Sequence, residues 1–391
     1  MTSLMCGRHS NPNVSGVLRK LPPANAYHVD SRNDSVTVVD YLSEKLPKLG
    51  SGLPRLHLAS LPTPVTERVV DVPNGSRRIL VKHDNLSAET YGGNKVRKLE
   101  YLLPAARRHG RKLIATFGAA GSHHALATAL YARRAGFGCC CFLSHQAATP
   151  DVAAALNLHI RNGTQIVRYG GSYRNRLNTL RKHLWGRDAW VVPMGGSSWL
   201  GTIGFVAAGL ELANQVDAGE VPCPTRIYVG TGTMGTAAGI ALGLALAGKS
   251  VEVHAVRVSE TWLTNERALS KLCAKTATMM RQIDDRTPAD LSSRTNIVLR
   301  HEFFGPGYAR GTEQTAEAIS FAAEKLDLQL ETTYTGKAMA ALCADLYELP
   351  EEASVLYWQT YHARPLEVPA DAPLDESALP DEFLRYFPQA A

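Results

Sequence analysis

Disulfide and zinc chemistry are what the chain most plainly lacks. Its seven cysteines, Cys6, Cys139, Cys140, Cys141, Cys223, Cys273 and Cys343, are odd in number and form no C-x-x-C pair. Neither a disulfide framework nor a zinc cage is expected, and a reducing cytoplasm fits best. Nowhere do about 18 apolar residues follow one another, the length a membrane helix needs. Met1 to Asn11 holds no apolar run resembling a signal-peptide core. A soluble protein with no membrane partner is therefore expected. Charge of one sign is not gathered anywhere: the net charge of +6 arises from Lys and Arg scattered among acids, which favours solubility over nucleic-acid binding. There is no internal repeat.

The chain has 391 residues, 45% of them hydrophobic and 20% charged, enough apolar material for one large or two medium domains. Residues 1 to about 60 are poor in pattern and read as an extension packed on, or trailing from, the rest. From Leu61 onward, short β-branched runs alternate with helix-length segments. The strand candidates are Ile79 to Lys82, Leu113 to Phe117, Cys139 to Leu143, Gln165 to Arg168, Trp190 to Pro193, Ile227 to Val229, Val251 to Val258 and Val355 to Trp358. Such alternation predicts an α/β architecture with mostly parallel, twisted open sheets flanked by helices. The number of strands, and the Gly-rich crossing at Met194 to Ser198, favour two sheets. The expected division is an extension over 1–60, a large domain from 61–97 plus 209–391, and a small domain over 98–208. The Pro- and acid-rich chain after Arg364 is expected to wrap the surface. Cys139 to Cys141 sit in an apolar run and read as buried strand residues.

Three segments carry candidate chemistry. After the strand at Ile227 comes Gly230-Thr-Gly232-Thr233-Met234-Gly235-Thr236, followed by an apolar helical run. Glycines let backbone N–H groups turn inward, and a helix N-terminus adds partial positive charge, so the segment is suited to a phosphate. Its letters match the dinucleotide fingerprint G-x-G-x-x-G, with Glu260 about 25 residues further on. A ligand-free strand-to-helix turn also stays open, whereas a Walker loop is disfavoured because no Gly-Lys-Ser/Thr ending is present. Second, Gly92-Gly93-Asn94-Lys95 places a lysine at the opening of a helix, where the dipole would lower its pKa. On local sequence alone, with Arg97 and Lys98 beside it, a surface lysine after a turn is the leading reading. Third, Gly121-Ser122-His123-His124 at the end of a strand is suited to a carboxylate or to an ordinary Ser N-cap. Adjacent His123 and His124 cannot share one helix face, which argues against a metal pair.

Leu61-Pro-Thr-Pro64, Val81-Lys-His-Asp-Asn-Leu86, Gly92-Gly-Asn-Lys-Val-Arg-Lys-Leu-Glu-Tyr-Leu-Leu103, Gly195-Gly-Ser197, Phe304-Gly-Pro-Gly-Tyr308 and Tyr334-Thr-Gly-Lys-Ala-Met339 occur in one order along the chain. Together they resemble the D-cysteine desulfhydrase and 1-aminocyclopropane-1-carboxylate deaminase family, of the tryptophan-synthase-β-like fold type (type II) of pyridoxal phosphate enzymes. The resemblance covers roughly residues 60 to 365. It implies pyridoxal 5'-phosphate as cofactor, Lys95 as the lysine that binds it covalently, and Gly232 to Thr236 as its phosphate loop, with Asn94 and His123 beside it. It also implies Ser122 at the substrate carboxylate, near His123 and His124, and Tyr308 and Tyr334 as active-site tyrosines. A homodimer is likewise implied.

Within that family the residue after the second tyrosine is Glu in the ring-opening deaminases and a hydroxyl residue in the desulfhydrases; here it is Thr335. Thr360 falls where the desulfhydrase-like pattern has Thr in His-Thr-Gly-Gly. A neutral hydroxyl at the ring nitrogen is a weaker aid to electron withdrawal than a carboxylate, and both threonines point to elimination of a β-substituent. The expected function is thus desulfhydrase-like α,β-elimination on a small amino acid. Cyclopropane ring opening, a specialised biosynthetic reaction and, more distantly, a nicotinamide-dependent oxidoreductase are the alternatives. Two departures bear on the substrate. Gln-Ser-Asn has become Gly121-Ser122-His123, so His123 could bond the cofactor's phenolic oxygen or carry a proton. His-Thr-Gly-Gly has become Gln359-Thr360-Tyr361-His362, which puts bulk beside the pocket.

Overall fold

The computed structural model describes residues 40–73, 75–350, 353–362 and 378–387. The expectations for residues 1–39 and 364–377 lie outside the described residues. Among the described residues, ten strands form two sheets. The larger has the order β1 (Val65–Val72), β2 (Gly75–Lys82), β10 (Ser354–Trp358), β7 (Arg226–Thr231), β8 (Glu252–Arg257) and β9 (Ile297–Arg300). Its neighbours run parallel except β1, which is antiparallel to β2. The smaller sheet, β5 (Gln165–Arg168), β4 (Gly138–Ser144), β3 (Leu113–Ala119) and β6 (Ala189–Val191), is wholly parallel. This is the expected two-sheet α/β architecture.

Burial explains the strand signals. Every residue of β10 is buried, as are Cys139 to Leu143 of β4, because parallel strands covered on both faces lose polar alternation. The cysteine run is therefore core, and burial pushes the Cys140 thiol up to about 12, which keeps it unreactive. The eight expected strands fall on β2 to β8 and β10. The two further strands lie at sheet edges: β1 carries the exposed charges Glu67, Arg68 and Asp71, and β9 has four half-buried residues.

Helices cover both faces of the larger sheet. Leu80, Leu356 and Trp358 face α7 (Trp199–Asp217) and α8 (Gly235–Leu246), where they pack with Phe205, Ala208 and Ile240. Their neighbours Ile79, Val81, Val355 and Tyr357 face the other way, toward α10 (Glu313–Leu326) and α11 (Thr335–Leu346). The period of two along each strand is what divides them. The smaller sheet packs with α3 (Lys95–Arg108), α4 (His123–Arg134) and α5 (Pro150–Arg161) around Val96, Leu126, Cys141 and Leu156. Helix α7, expected partly in the small domain, packs Phe205, Ala208 and Leu212 on the larger sheet, while Leu200 reaches the core of the smaller one. Two described pieces also group differently from the expected division. Helices α1 (Tyr41–Lys45) and α2 (Pro47–Gly52) bury Leu42, Leu46 and Leu49 against α7 and against Met280 of α9 (Glu266–Ile283). Leu379, Phe383 and Tyr386 return to the core of the smaller sheet.

The lobes are joined by a buried ionic cluster. Arg97, in the first turn of α3, bonds Asp84 at 2.8 Å and Glu211 of α7 at 2.9 Å. Lys82 of β2 bonds Glu211 at 2.5 Å, and the Trp358 indole donates to Asp84 at 2.9 Å. Two cations and two anions balance, with hydrogen bonds to Thr63 and Gln215 completing their shells. Burial alone would raise the Glu211 carboxyl, but Arg97 and Lys82 outweigh it and hold it at about 2.

Removing Arg97 leaves two buried carboxylates short of a partner. Arg97→Ala is expected to cost about 3–5 kcal/mol in urea unfolding; a loss below about 1 kcal/mol contradicts the cluster's role. A depressed Glu211 stabilises fully above its ordinary value of 4.5 and loses that contribution as pH falls toward 2. Wild-type urea midpoints should accordingly decline across that window.

Candidate active site

A cavity of about 630 Å³ lies between the lobes. Its floor is the Gly92–Lys95 turn. Gly93 has φ +89°, and a Cβ there would sit 2.7 Å from the Thr360 carbonyl, which also accepts the Asn94 N–H at 3.1 Å. Only glycine admits both the positive φ and the close approach of β10's end. Lys95 follows as the first residue of α3. Its Nζ donates to Asn94 Oδ1 at 2.6 Å, and Asn94 Nδ2 donates to Thr236 Oγ1 at 3.1 Å. One amide thus couples the lysine to the glycine loop. Burial pushes the Lys95 ammonium down to about 8, with Glu331 acting in the opposite sense. Burial is the leading cause of the lowering that the helix dipole was expected to supply.

The loop from Gly232 to Thr236 runs from β7 into α8, which starts without a side-chain cap behind Met234 in the left-handed region. A Cβ at Gly235 would lie 2.6 Å from Ser197 Oγ and 3.2 Å from Lys98 Nζ; one at Gly232 would lie 2.9 Å from the Tyr334 hydroxyl. Ser197 Oγ pairs with Thr233 Oγ1 at 2.7 Å and accepts the Gly235 N–H at 3.2 Å. Lys98, three residues after Lys95 and on the same side of α3, is buried and donates to the Gly195 carbonyl at 3.0 Å. Burial, reinforced by Lys95, holds its pKa well below the ordinary value. A buried lysine amine without a carboxylate partner among the described residues, able to take up charge beside an anion and set against an uncapped helix start and a glycine loop, is what a phosphate group requires. The residues present therefore fit pyridoxal phosphate. Sequence reasoning passed over Lys98 as a neighbour of Lys95, although its i, i+3 spacing placed it on the same face.

On the small-lobe side, Ser122 caps α4, and its hydroxyl accepts the Ala125 N–H at 3.3 Å, which leaves the hydroxyl proton available to a ligand. The Ser N-cap that the sequence left open is thus formed, and two backbone donors of the turn are already engaged. The Gly121 N–H is taken by Gln146 Oε1 at 3.0 Å and the Ser122 N–H by the Ala119 carbonyl at 2.9 Å. The N–H groups of His123 and His124 in the first helical turn have no partner inside the helix. Gln146 is itself held by Tyr386, whose hydroxyl accepts the Gln146 N–H and donates to its carbonyl, both at 3.0 Å. No motif pointed to Gln146, because its partner lies 240 residues away. The two histidines diverge: His124 pairs with Thr116 at 2.9 Å, whereas His123 Nδ1 pairs with the Tyr91 hydroxyl. Both line the cavity.

Tyr334 and Tyr308 close the opposite wall, their rings crossing edge to face at 6.3 Å. Lys95 Nζ lies 5.8 Å from the Tyr334 ring centre. Tyr308 is 39% exposed, and its loop is held by Lys337, which donates to the Gly307 carbonyl at 3.2 Å. Thr360 and Tyr361 also line the cavity, but Thr335 does not. The Thr335 hydroxyl accepts the Glu331 N–H at 2.9 Å and donates to the Glu331 carboxylate at 3.1 Å. The structure thus turns Thr335 away from the position expected of it. The acidic group at this wall is Glu331, whose carboxylate also accepts the N–H groups of Thr333, Tyr334 and Thr335 at 2.6–2.8 Å.

Residues 58–360 match the family model described as "Pyridoxal-phosphate dependent enzyme". A D-cysteine desulfhydrase of Salmonella paratyphi A is 33% identical over 304 residues, covering 74% of this chain and 87% of the relative. A D-cysteine desulfhydrase of Klebsiella pneumoniae is 30% identical over 322 residues, covering 78% and 93%. Among solved structures, an ACC deaminase homologue superposes with a TM-score of 0.66 at 23% identity, covering 89% of this chain and 99% of the other. A fungal L-serine ammonia-lyase from Rhizomucor miehei gives 0.53 at 19% identity, covering 77% and 93%. These two structural likenesses bear on the fold alone.

Cofactor capture by Lys95 needs the free amine. In protein stripped of cofactor, the rate at which added pyridoxal phosphate develops visible absorbance should climb as pH rises through about 8. A rate flat between about pH 7 and about pH 9 would contradict a free Lys95 amine as the capturing group.

Proposed function

This chain belongs to the pyridoxal-phosphate dependent enzymes, as a relative of the D-cysteine desulfhydrases, and from that premise we propose that it performs desulfhydrase-like α,β-elimination on D-cysteine or a related β-substituted amino acid. The observation that carries the reading is the Lys95–Asn94–Thr236 chain of hydrogen bonds, which couples an amine of lowered pKa to a phosphate cradle. Lys95 would hold the cofactor covalently. Lys98, Thr233 and Thr236 would take its phosphate, and Asn94 and Thr360 would flank it. When bound, the cofactor supplies an electron sink for the pair released at the substrate's Cα.

The chain's own groups account for the rest. Ser122 and the start of α4 bind the substrate carboxylate, which presents Cα to the Lys95 side of the cavity. Lys95, whose pKa of about 8 makes free amine available near neutrality, takes the Cα proton. Tyr334 keeps its phenolic proton because burial raises its pKa well above the ordinary value, and with Tyr308 it can offer a hydrogen bond to the departing sulfur. The Cβ–S bond breaks with its electron pair leaving on sulfur, and the released 2-aminoacrylate tautomerises to its imine and takes up one water, so that pyruvate and ammonia accompany the sulfide as final products.

The names of the two curated relatives support D-cysteine over the cyclopropane amino acid. The ring-nitrogen argument built on Thr335 does not, since that hydroxyl is engaged by Glu331. A cytoplasmic setting accords with four buried, unpaired cysteines. We take the assembly to be a homodimer, as the family resemblance implies; sedimentation at a single chain's mass would overturn this.

Protein loaded with pyridoxal phosphate should be yellow and convert D-cysteine to pyruvate and sulfide. Lys95→Ala should lose the absorbance and about 10³-fold of the rate. Release of 2-oxobutyrate from the cyclopropane amino acid, with no sulfide from D- or L-cysteine, would replace elimination by ring opening.

A further inference from the structure

The two departures noted at His123 and at Tyr361-His362 meet in space. The His123 ring stands against the Tyr361 ring, edge to face at 5.0 Å. His362 stacks on Tyr91 at 4.3 Å and accepts the Gly92 N–H through Nδ1 at 2.9 Å. Tyr91 joins the two, because its hydroxyl bonds His123 Nδ1. Its own carbonyl accepts the Tyr131 hydroxyl at 2.8 Å, so the residue is held at its backbone and at its ring, and it is 2% exposed.

The direction of the Tyr91–His123 bond follows from the groups around it. Burial raises the pKa of the Tyr91 phenol, and Tyr361, Tyr131 and Asp151 raise it further; the phenol keeps its proton, and because its hydroxyl has no other hydrogen-bond partner among the described residues, it donates to His123 Nδ1. His123 is faced by Glu331 from the loop before α11, by Lys95 from α3, by Asp151 from α5 and by Tyr361 from the end of β10. Burial is the largest influence on it and lowers its pKa, Lys95 acts in the same sense, and Glu331 and Asp151 oppose them. A neutral imidazole that accepts at Nδ1 carries its single hydrogen on Nε2.

We propose that Tyr91 is a positioning residue that locks His123 in the neutral Nε2–H tautomer, which makes the nitrogen left for the cavity a fixed hydrogen-bond donor and neither a base nor a proton shuttle. What it meets must accept: an oxygen or a thiolate sulfur bearing negative charge. A neutral imidazole holds its last proton far above any working pH, so His123 stabilises such a charge without neutralising it. The proton that completes the leaving group then comes from Tyr308, Tyr334 or Lys95. This role rests on the function proposed above for what occupies the cavity; the tautomer does not.

The test uses full-length protein labelled with ¹⁵N-histidine, with and without pyridoxal phosphate, and assigns the His123 signals by their loss in His123→Asn. The wild type should show a protonated Nε2 and a bare Nδ1 that do not titrate between about pH 6 and about pH 8. Tyr91→Phe, which keeps the ring, should release Nδ1, mix the tautomers and give kcat/KM an acid limb absent from the wild type. Adding Tyr91→Phe to His123→Asn should change nothing further. An Nδ1–H tautomer, titration near about 6.5 in the wild type, or unchanged His123 signals in Tyr91→Phe would overturn the proposal; the wild-type spectrum alone decides it should Tyr91→Phe not fold. Loss of the yellow colour alongside an intact Nε2–H tautomer would count against the cofactor reading and not against the Tyr91 lock.

Discussion

The ion cluster around Arg97 is the constraint on which the site depends. Only Val96 separates Arg97 from Lys95, so whatever holds the guanidinium holds the start of α3. Asp84 and Glu211, both of the large lobe, grip it with bonds of 2.8–2.9 Å. The remainder of α3 sinks Val96, Leu99 and Leu103 into the small-lobe core. Lys95 therefore stands at the seam, anchored to one lobe by charge and to the other by apolar packing. Breaking such a buried pair leaves an uncompensated charge, which makes this seam a costly place to loosen.

From that seam the cavity is assembled out of short reaches. Asn94 spans Lys95 and the loop before α8; Lys98 and Ser197 close the loop from below. Burial lowers the pKa of both lysines, and the two respond to a ligand differently. A phosphate would restore the charge of Lys98, whereas the role proposed for Lys95 needs its free amine. The wall beside Ser122 is aromatic: His123, Tyr361, Tyr91 and His362 pack as one unit. Two departures that look independent along the chain belong to a single cluster that lines the cavity.

Much of the fold was legible because central parallel strands announce themselves as apolar runs; Ser354–Trp358 and Cys139–Leu143 are instances. The edge strands β1 and β9 escaped because charged or half-exposed residues dilute that signal. In the site, Lys95, Ser122, Tyr308 and Tyr334 could be named from motif order, and the structure gathers them around one cavity. Lys98 and Glu331 were adjacent to those motifs but received no role, since burial and partner are not visible in letters. Gln146 depends on a tyrosine near the other end of the chain and had no local signal at all. Thr335 follows Tyr334 of the cavity along the chain, yet its hydroxyl bonds Glu331, a partner that the letters do not show.

Lys95, and no other lysine of this cavity, is the residue expected to form the bond to the cofactor. Reduction of the pyridoxal phosphate-loaded protein with borohydride, followed by proteolysis and mass spectrometry of the peptides, reads this directly. A pyridoxyl mass addition confined to Lys95 is the predicted result. The same addition on Lys98 or Lys337, or none on the peptide spanning Gly92 to Arg97, would contradict it.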